Sequence, residues 1–222
     1  ENERMSRVMV LEDTDQDGVM DKATPFVDDM INVRCIAFVD DGVLVVETGG
    51  LWLCKDNDGD LRCDEREKLF DFATAAQSNI EHAENALHFA LDNWMYNSKS
   101  SRKLAWRNGK LIEMPAKGRG QWGMGSDAYG RLYFNANSNW FEVDWATYDR
   151  QWPSKGSSVK PPTNRVFGIR LNTPLNRNYR PGRILADGRV ASVTTISGLA
   201  VHSHGAYGKG WEGTIFSVSP GT

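Results

Sequence analysis

Aspartate recurs at alternate positions in Asp13-Thr14-Asp15-Gln16-Asp17-Gly18-Val19-Met20-Asp21. Carboxylates at loop positions one, three, five and nine, glycine at six and the Val19 carbonyl at seven are the pattern by which an oxygen cage holds calcium. Position twelve is Thr24 rather than the glutamate of a full EF-hand, and no flanking helices are evident. A second copy, Asp56-Asn57-Asp58-Gly59-Asp60-Leu61-Arg62-Cys63-Asp64, repeats the acidic spacing, with Glu67 at position twelve and Leu61 where glycine is expected. The expected ligands are Asp13, Asp15, Asp17, Val19 and Asp21 in the first loop, and Asp56, Asp58, Asp60, Asp64 and Glu67 in the second. Calcium so held would be structural, because a filled cage leaves no open position for Lewis-acid work; the alternative is two solvated acidic turns.

The other chemistry-bearing residues are sparse. His82, in Glu81-His82-Ala83-Glu84-Asn85-Ala86-Leu87, precedes an expected strand, where a side chain that titrates near neutrality can act as a general base. His88 reads as packing or strand surface, and His202 and His204 as alternating positions on one strand face, with no third metal ligand at suitable spacing. The three cysteines form no Cys-x-x-Cys pair, which excludes a zinc ribbon, a thioredoxin-like motif and a haem attachment site. Cys54 and Cys63 bracket the second acidic loop, as a disulfide or as two buried thiols, and Cys35 reads as core. Nucleotide, nicotinamide and serine-hydrolase signatures are missing. Trp106, Trp122, Trp140 and Trp145 offer either a sugar-stacking surface or core packing.

The elements that must position these residues read as β. Turn-plus-strand steps recur at Asp41-Gly42-Val43-Leu44-Val45, Asp92-Asn93-Trp94-Met95-Tyr96, Tyr129-Gly130-Arg131-Leu132-Tyr133 and Glu212-Gly213-Thr214-Ile215-Phe216. Their turn residues lie 51, 37 and 83 positions apart, the last about twice 41, which suits four-stranded propeller blades. The alternative is the hairpins of a β-sandwich. Thr74 to Leu91 has some helical spacing, but Asn79, Asn85 and the lack of caps favour a loop feeding a strand. Met5 to Leu11 and Thr214 to Val218 read as strands, and Ser154 to Pro162 as an excursion inside one domain, residues 1–222. Four or five blades fall short of the commoner closed rings, so the expectation is a propeller fragment, or one that a partner completes.

The chain has 222 residues, 40% of them hydrophobic, enough for a real core. A net charge of -3 with scattered basic residues argues against nucleic acid. The apolar run Val43 to Val46 is too short for membrane insertion, and a cleaved export signal would leave no trace.

Taken together, the Leu11-to-Gly18 loop, the second loop after Leu51-Trp52-Leu53, Glu81 to Asn85, Asp127 to Asn135, Pro174 to Arg177 and Gly213 to Phe216 resemble the propeller domain of bacterial PVC-type membrane-bound dehydrogenases, relatives of the soluble glucose and sorbosone dehydrogenases. The resemblance implies a six-bladed propeller with calcium loops, a periplasmic or extracellular location, and oxidation of a sugar or alcohol by pyrroloquinoline quinone. It implies His82 as general base and, from Arg119-Gly120-Gln121-Trp122-Gly123, Arg119 and Gln121 as cofactor contacts, Gly120 and Gln121 standing where relatives have Asn and Pro. A cytochrome c domain as electron acceptor is the implied partner. The competing expectation is a non-catalytic, calcium-stabilised propeller that binds a glycan or a partner protein.

Overall fold

A computed structural model describes residues 3–71, 82–137, 139–144, 163–165, 182, 185–188 and 196–218. The side chain of Trp140, all of Trp145, residues 74–81 of the Thr74 to Leu91 window, the Ser154 to Pro162 excursion and Pro174 to Arg177 lie outside them. The described residues are all-β, with sixteen strands and no α-helix among them. They fall into two compact units, residues 1–87 with 105–112, and residues 88–104 with 113–222.

In the first unit, β1 (Ser6–Glu12) and β2 (Lys22–Met30) form an antiparallel hairpin. β3 (Cys35–Val39), β4 (Gly42–Glu47), β5 (Gly50–Lys55) and β6 (Glu65–Asp71) follow as a four-stranded antiparallel meander. Tight turns set its register, with Val39 opposite Gly42 and Glu47 opposite Gly50. Its two central strands carry the core: Leu44, Val45, Val46, Leu51, Leu53 and Cys54 are all at most 2% exposed. Runs buried on both faces lose strict polar alternation, which is why Val43 to Val46 reads as a continuous apolar stretch. Phe26, Val27 and Met30 of β2 pack against Val45 and Cys54. Each such buried side chain contributes roughly 1.5–3 kcal/mol.

Two more four-stranded sheets follow in strand order, β7 (Asn85–Phe89) to β10 (Lys110–Pro115) through β8 (Met95–Ser98) and β9 (Arg102–Arg107), then β11 (Met124–Ser126), β12 (Leu132–Ala136), β13 (Asn139–Asp144) and β14 (Thr163–Arg165). A hairpin of β15 (Ser197–Val201) and β16 (Ile215–Val218) ends the described chain. The four turn residues singled out in the sequence, Gly42, Asn93, Gly130 and Gly213, all have positive φ (152°, 61°, 75° and 78°). Glycine and asparagine tolerate that region best, so the turn chemistry located the strands. The expected terminal strands are β1 and β16, displaced by one residue at most ends. His202 and His204 do not share a strand face, because β15 ends at Val201 and His204 caps a short 3-10 turn, Gly205–Tyr207.

The thiols of Cys35 and Cys54 are both pushed up to about 12, in each case first by burial. A raised pKa favours the neutral thiol in the folded chain. That stability is complete below the ordinary thiol value of 9.0 and is lost as pH rises toward 12. Thermal midpoints should therefore fall between pH 9 and 11, and fall less steeply in a Cys35→Ser, Cys54→Ser chain. Equal slopes for the two proteins would rule out the thiols as the cause.

Candidate metal centre

Both acidic loops close hairpins of the first unit. Glu12 pairs with Lys22 across the mouth of residues 13–21, and Lys55 with Glu65 across that of residues 56–64. An ion pair closes each mouth, Lys22 Nζ to Glu12 at 2.8 Å and Lys55 Nζ to Glu65 at 3.4 Å, with the polarity reversed. Just inside, the amide of the ninth loop residue donates to the carbonyl before the loop, Asp21 to Glu12 at 3.0 Å and Asp64 to Lys55 at 2.8 Å.

The hydrogen bonds inside the loops correspond position by position. The first carboxylate accepts the sixth amide at 2.9 Å in both, Gly18 to Asp13 and Leu61 to Asp56. The third accepts the fifth amide, Asp17 to Asp15 at 3.3 Å and Asp60 to Asp58 at 3.2 Å. The fifth accepts the seventh amide at 2.8 Å, Val19 to Asp17 and Arg62 to Asp60. The ninth accepts the second amide, Thr14 to Asp21 at 3.2 Å and Asn57 to Asp64 at 2.7 Å. Burial acts upward on the Asp56 carboxyl, but the amides of Gly59, Leu61, Asp60 and Asp58 together hold it below the ordinary carboxylate range. It is therefore ionised whenever a cation could bind.

These turns bring one oxygen each from Asp13, Asp15 and Asp21 within 4.8 Å of one another, and likewise from Asp56, Asp58 and Asp64. Asp17 and Asp60 are outside these triads, each holding a backbone amide of its own loop. Val19 is an exposed loop residue, and Glu67 lies on β6 opposite Leu53 rather than in a triad. Converging carboxylates repel until a cation sits among them. The donors are hard oxygens, which suit calcium or magnesium and not a thiophilic ion. Cys63 does not add a soft ligand: its Sγ donates to the Glu65 carbonyl at 3.1 Å and packs on the core.

The loops share a backbone shape that their sequences hide. Positions four and six are left-handed in both, Gln16 and Gly18 (φ 63° and 91°) in the first, Gly59 and Leu61 (84° and 68°) in the second. Each loop has one glycine, at a different one of the two positions. Leu61 thus carries a conformation costing roughly 1–2 kcal/mol for a side chain with a Cβ. Leu61→Gly should raise stability by about 0.5–1 kcal/mol after the extra freedom of the unfolded chain is offset, and Gly18→Ala should lower it by about 1 kcal/mol. Urea denaturation of the two variants checks both signs.

The residues read as cofactor contacts are in the second unit and are already engaged. Arg119, 3% exposed, donates from Nε to Asp144 at 2.5 Å and from Nη1 to the Lys117 carbonyl at 2.9 Å, and lies over the Tyr96 ring at 4.6 Å. Gln121 is buried, and its backbone N–H donates to the Asn135 carbonyl at 2.7 Å. Gly120 has φ 61°, and a Cβ there would stand 2.7 Å from the Asn135 oxygen, so glycine at this position has a packing reason. A buried Arg119 already paired with Asp144, beside a buried Gln121, does not fit an open quinone site. His82 is exposed and precedes β7.

The second unit also has a cleft of about 300 Å³ lined by Asp127, Tyr129, Arg131, Tyr133, His202 and Glu212. Burial acts upward on Asp127, but the Arg131 amide and guanidinium, at 3.0 and 2.6 Å, and the Tyr129 amide hold its carboxyl below the usual range. His202 Nε2 is shielded from solvent and has no hydrogen-bond partner. Its ring contacts Tyr207 at 4.9 Å, and Tyr207 adjoins Trp211 and Phe216, all three exposed. Sequence reasoning passed over this aromatic group, although three aromatics within ten residues of a glycine-rich stretch were a usable signal.

The described residues define an all-β protein with a duplicated acidic loop whose carboxylates are grouped closely enough to hold a metal ion. Its residues 1–222 match a family described as a domain of unknown function, DUF7133, and the chain belongs to that family. No curated protein and no solved structure matches it.

Proposed function

We propose that the chain is a calcium-stabilised β-propeller module. The observation that carries this reading is the pair of acidic loops, 43 positions apart, with matching hydrogen bonds and a carboxylate triad in each. Three successive four-stranded antiparallel sheets, whose first strands start at residues 35, 85 and 124, support the blade assignment. Asp13, Asp15 and Asp21 would hold one ion and Asp56, Asp58 and Asp64 the other, with backbone carbonyls and water completing each shell. Titration calorimetry of the chelator-stripped chain should show two calcium sites. Asp13→Asn with Asp21→Asn should remove one, and Asp56→Asn with Asp64→Asn the other. No heat with calcium, or heat unchanged in both variants, defeats the reading.

A second reading makes the module a carbohydrate binder, favoured by the cleft and the exposed Tyr207, Trp211 and Phe216 beside it. Trp211→Ala should abolish a saccharide-dependent tryptophan fluorescence change; an unaltered response assigns the ligand elsewhere. Oxidation of a sugar or alcohol, with His82 as base, export and a cytochrome acceptor, is a proposal supported by the resemblance in sequence. Dye reduction by the quinone-supplemented chain that survives His82→Ala would count against it.

A further inference from the structure

Cys54 and Cys63 are two nucleophilic side chains that share one buried cluster of the first unit. Cys54, on β5, is fully buried among Phe26, Val27, Met30 and Val45, and Cys63 packs against that same group. Burial first, and then the neighbouring Cys63 thiol, hold the Cys54 thiol neutral. Both positions are fixed by backbone bonding, since Cys54 lies opposite Val43 and Arg66 in the sheet and the Cys63 amide donates to the Phe26 carbonyl at 2.7 Å. The first loop provides an internal comparison. At the corresponding positions, 43 residues earlier, it has Leu11 and Met20, which cannot be joined.

We infer that Cys54 and Cys63 form a reversible disulfide that clamps the second acidic loop. The bond closes a ring that contains Asp56, Asp58 and Asp60 and ends beside Asp64. A disulfide such as oxidised glutathione supplies the oxidising equivalents. Cys63, the more exposed thiol, attacks it as thiolate, forms a mixed disulfide and releases one glutathione thiol. The Cys54 sulfur then displaces the second glutathione. Two protons and two electrons leave the protein, the S–S bond of glutathione breaks, and that between Cys54 and Cys63 forms. Closing the ring removes freedom from the unfolded chain and holds the loop in its cation-ready shape.

The effect on calcium rests on the calcium reading above; the cross-link does not. The 222-residue chain is incubated under native conditions with oxidised glutathione, then assayed for thiols, intact mass and melting temperature. The three free thiols should fall to one, Cys35 remaining. The mass should drop by about 2 Da and the melting temperature rise on the order of 5 °C. Retention of all three thiols, a stable glutathione adduct, a bond to Cys35, or the same temperature rise in Cys63→Ser overturns the cross-link. In an Asp13→Asn, Asp21→Asn background, the calcium midpoint should be severalfold lower in the oxidised chain. Equal midpoints overturn the clamp, whereas a disulfide with no calcium response in either redox state upholds the cross-link and overturns the calcium reading.

Discussion

Asp144→Ala should cost about 3–5 kcal/mol, the largest effect of any single substitution considered for this chain. The reason is what it leaves behind. Arg119 and Asp144 have side chains only 3% and 2% exposed and meet at 2.5 Å. Without the carboxylate, the guanidinium stays charged, since its intrinsic pKa is too high for neutralisation to relieve it. Among the contacts that remain, the Lys117 carbonyl and the Tyr96 face carry no charge. At about 2–4 °C per kcal/mol, the melting temperature should drop by roughly 6–20 °C. Two controls separate this from ordinary loss of a contact. The part-exposed pair Arg102–Glu113, at 3.2 Å, should lose under about 1 kcal/mol on Glu113→Ala. Replacing both buried partners, Arg119→Met with Asp144→Leu, should recover most of the loss, because an apolar pair leaves no stranded charge. A melting temperature within 2 °C of the parent for Asp144→Ala would show that solvent reaches Arg119 after all.

That pair also shows where reading along the chain stops working. Its partners are 25 residues apart, and nothing near Arg119 in a glycine-rich stretch points to Asp144. A lone arginine in such a stretch looks the same whether it faces a ligand or the core. Turns were legible because positive φ selects residue types locally: Gly42, Asn93, Gly130 and Gly213 all mark real turns. The acidic loops were legible for the same reason, as ligand spacing is a local constraint. Finer features of the loops were not. Leu61 looked like a defect at position six, yet the second loop keeps the same left-handed pair and places its glycine at position four. Asp17 and Asp60 matched the ligand pattern but lie outside the triads in which the other loop carboxylates converge. Glu67 matched too, but pairing with β5 puts it opposite Leu53, and strand register is set by partners distant in sequence. The contact of Cys54 with Cys63 was left open by spacing alone and is set by how residue 63 packs on Phe26.

On the proposed calcium reading, removing the ion should lower the melting temperature by roughly 10–20 °C, through two steps that can be separated. A site that binds only the folded chain adds about 2.7 kcal/mol at a hundredfold excess of ligand over its dissociation constant, so two add about 5 kcal/mol. The dependence on calcium concentration should be logarithmic and show no plateau above saturation, unlike a salt effect on surface charge. Magnesium should substitute poorly, because it demands a smaller octahedral shell and gives up water reluctantly, whereas the nine-residue loops offer three spread carboxylates each. Disabling one loop, by Asp13→Asn with Asp21→Asn or by Asp56→Asn with Asp64→Asn, should halve the calcium-dependent rise. It should also raise the melting temperature of the calcium-free chain slightly, since fewer carboxylates then repel within the triad. A structural salt bridge predicts the reverse sign for that last change, because its loss always destabilises. The sign of the calcium-free shift therefore tells a vacant cation site from an acidic turn held together by its own hydrogen bonds, and it is read from two melting curves in chelator.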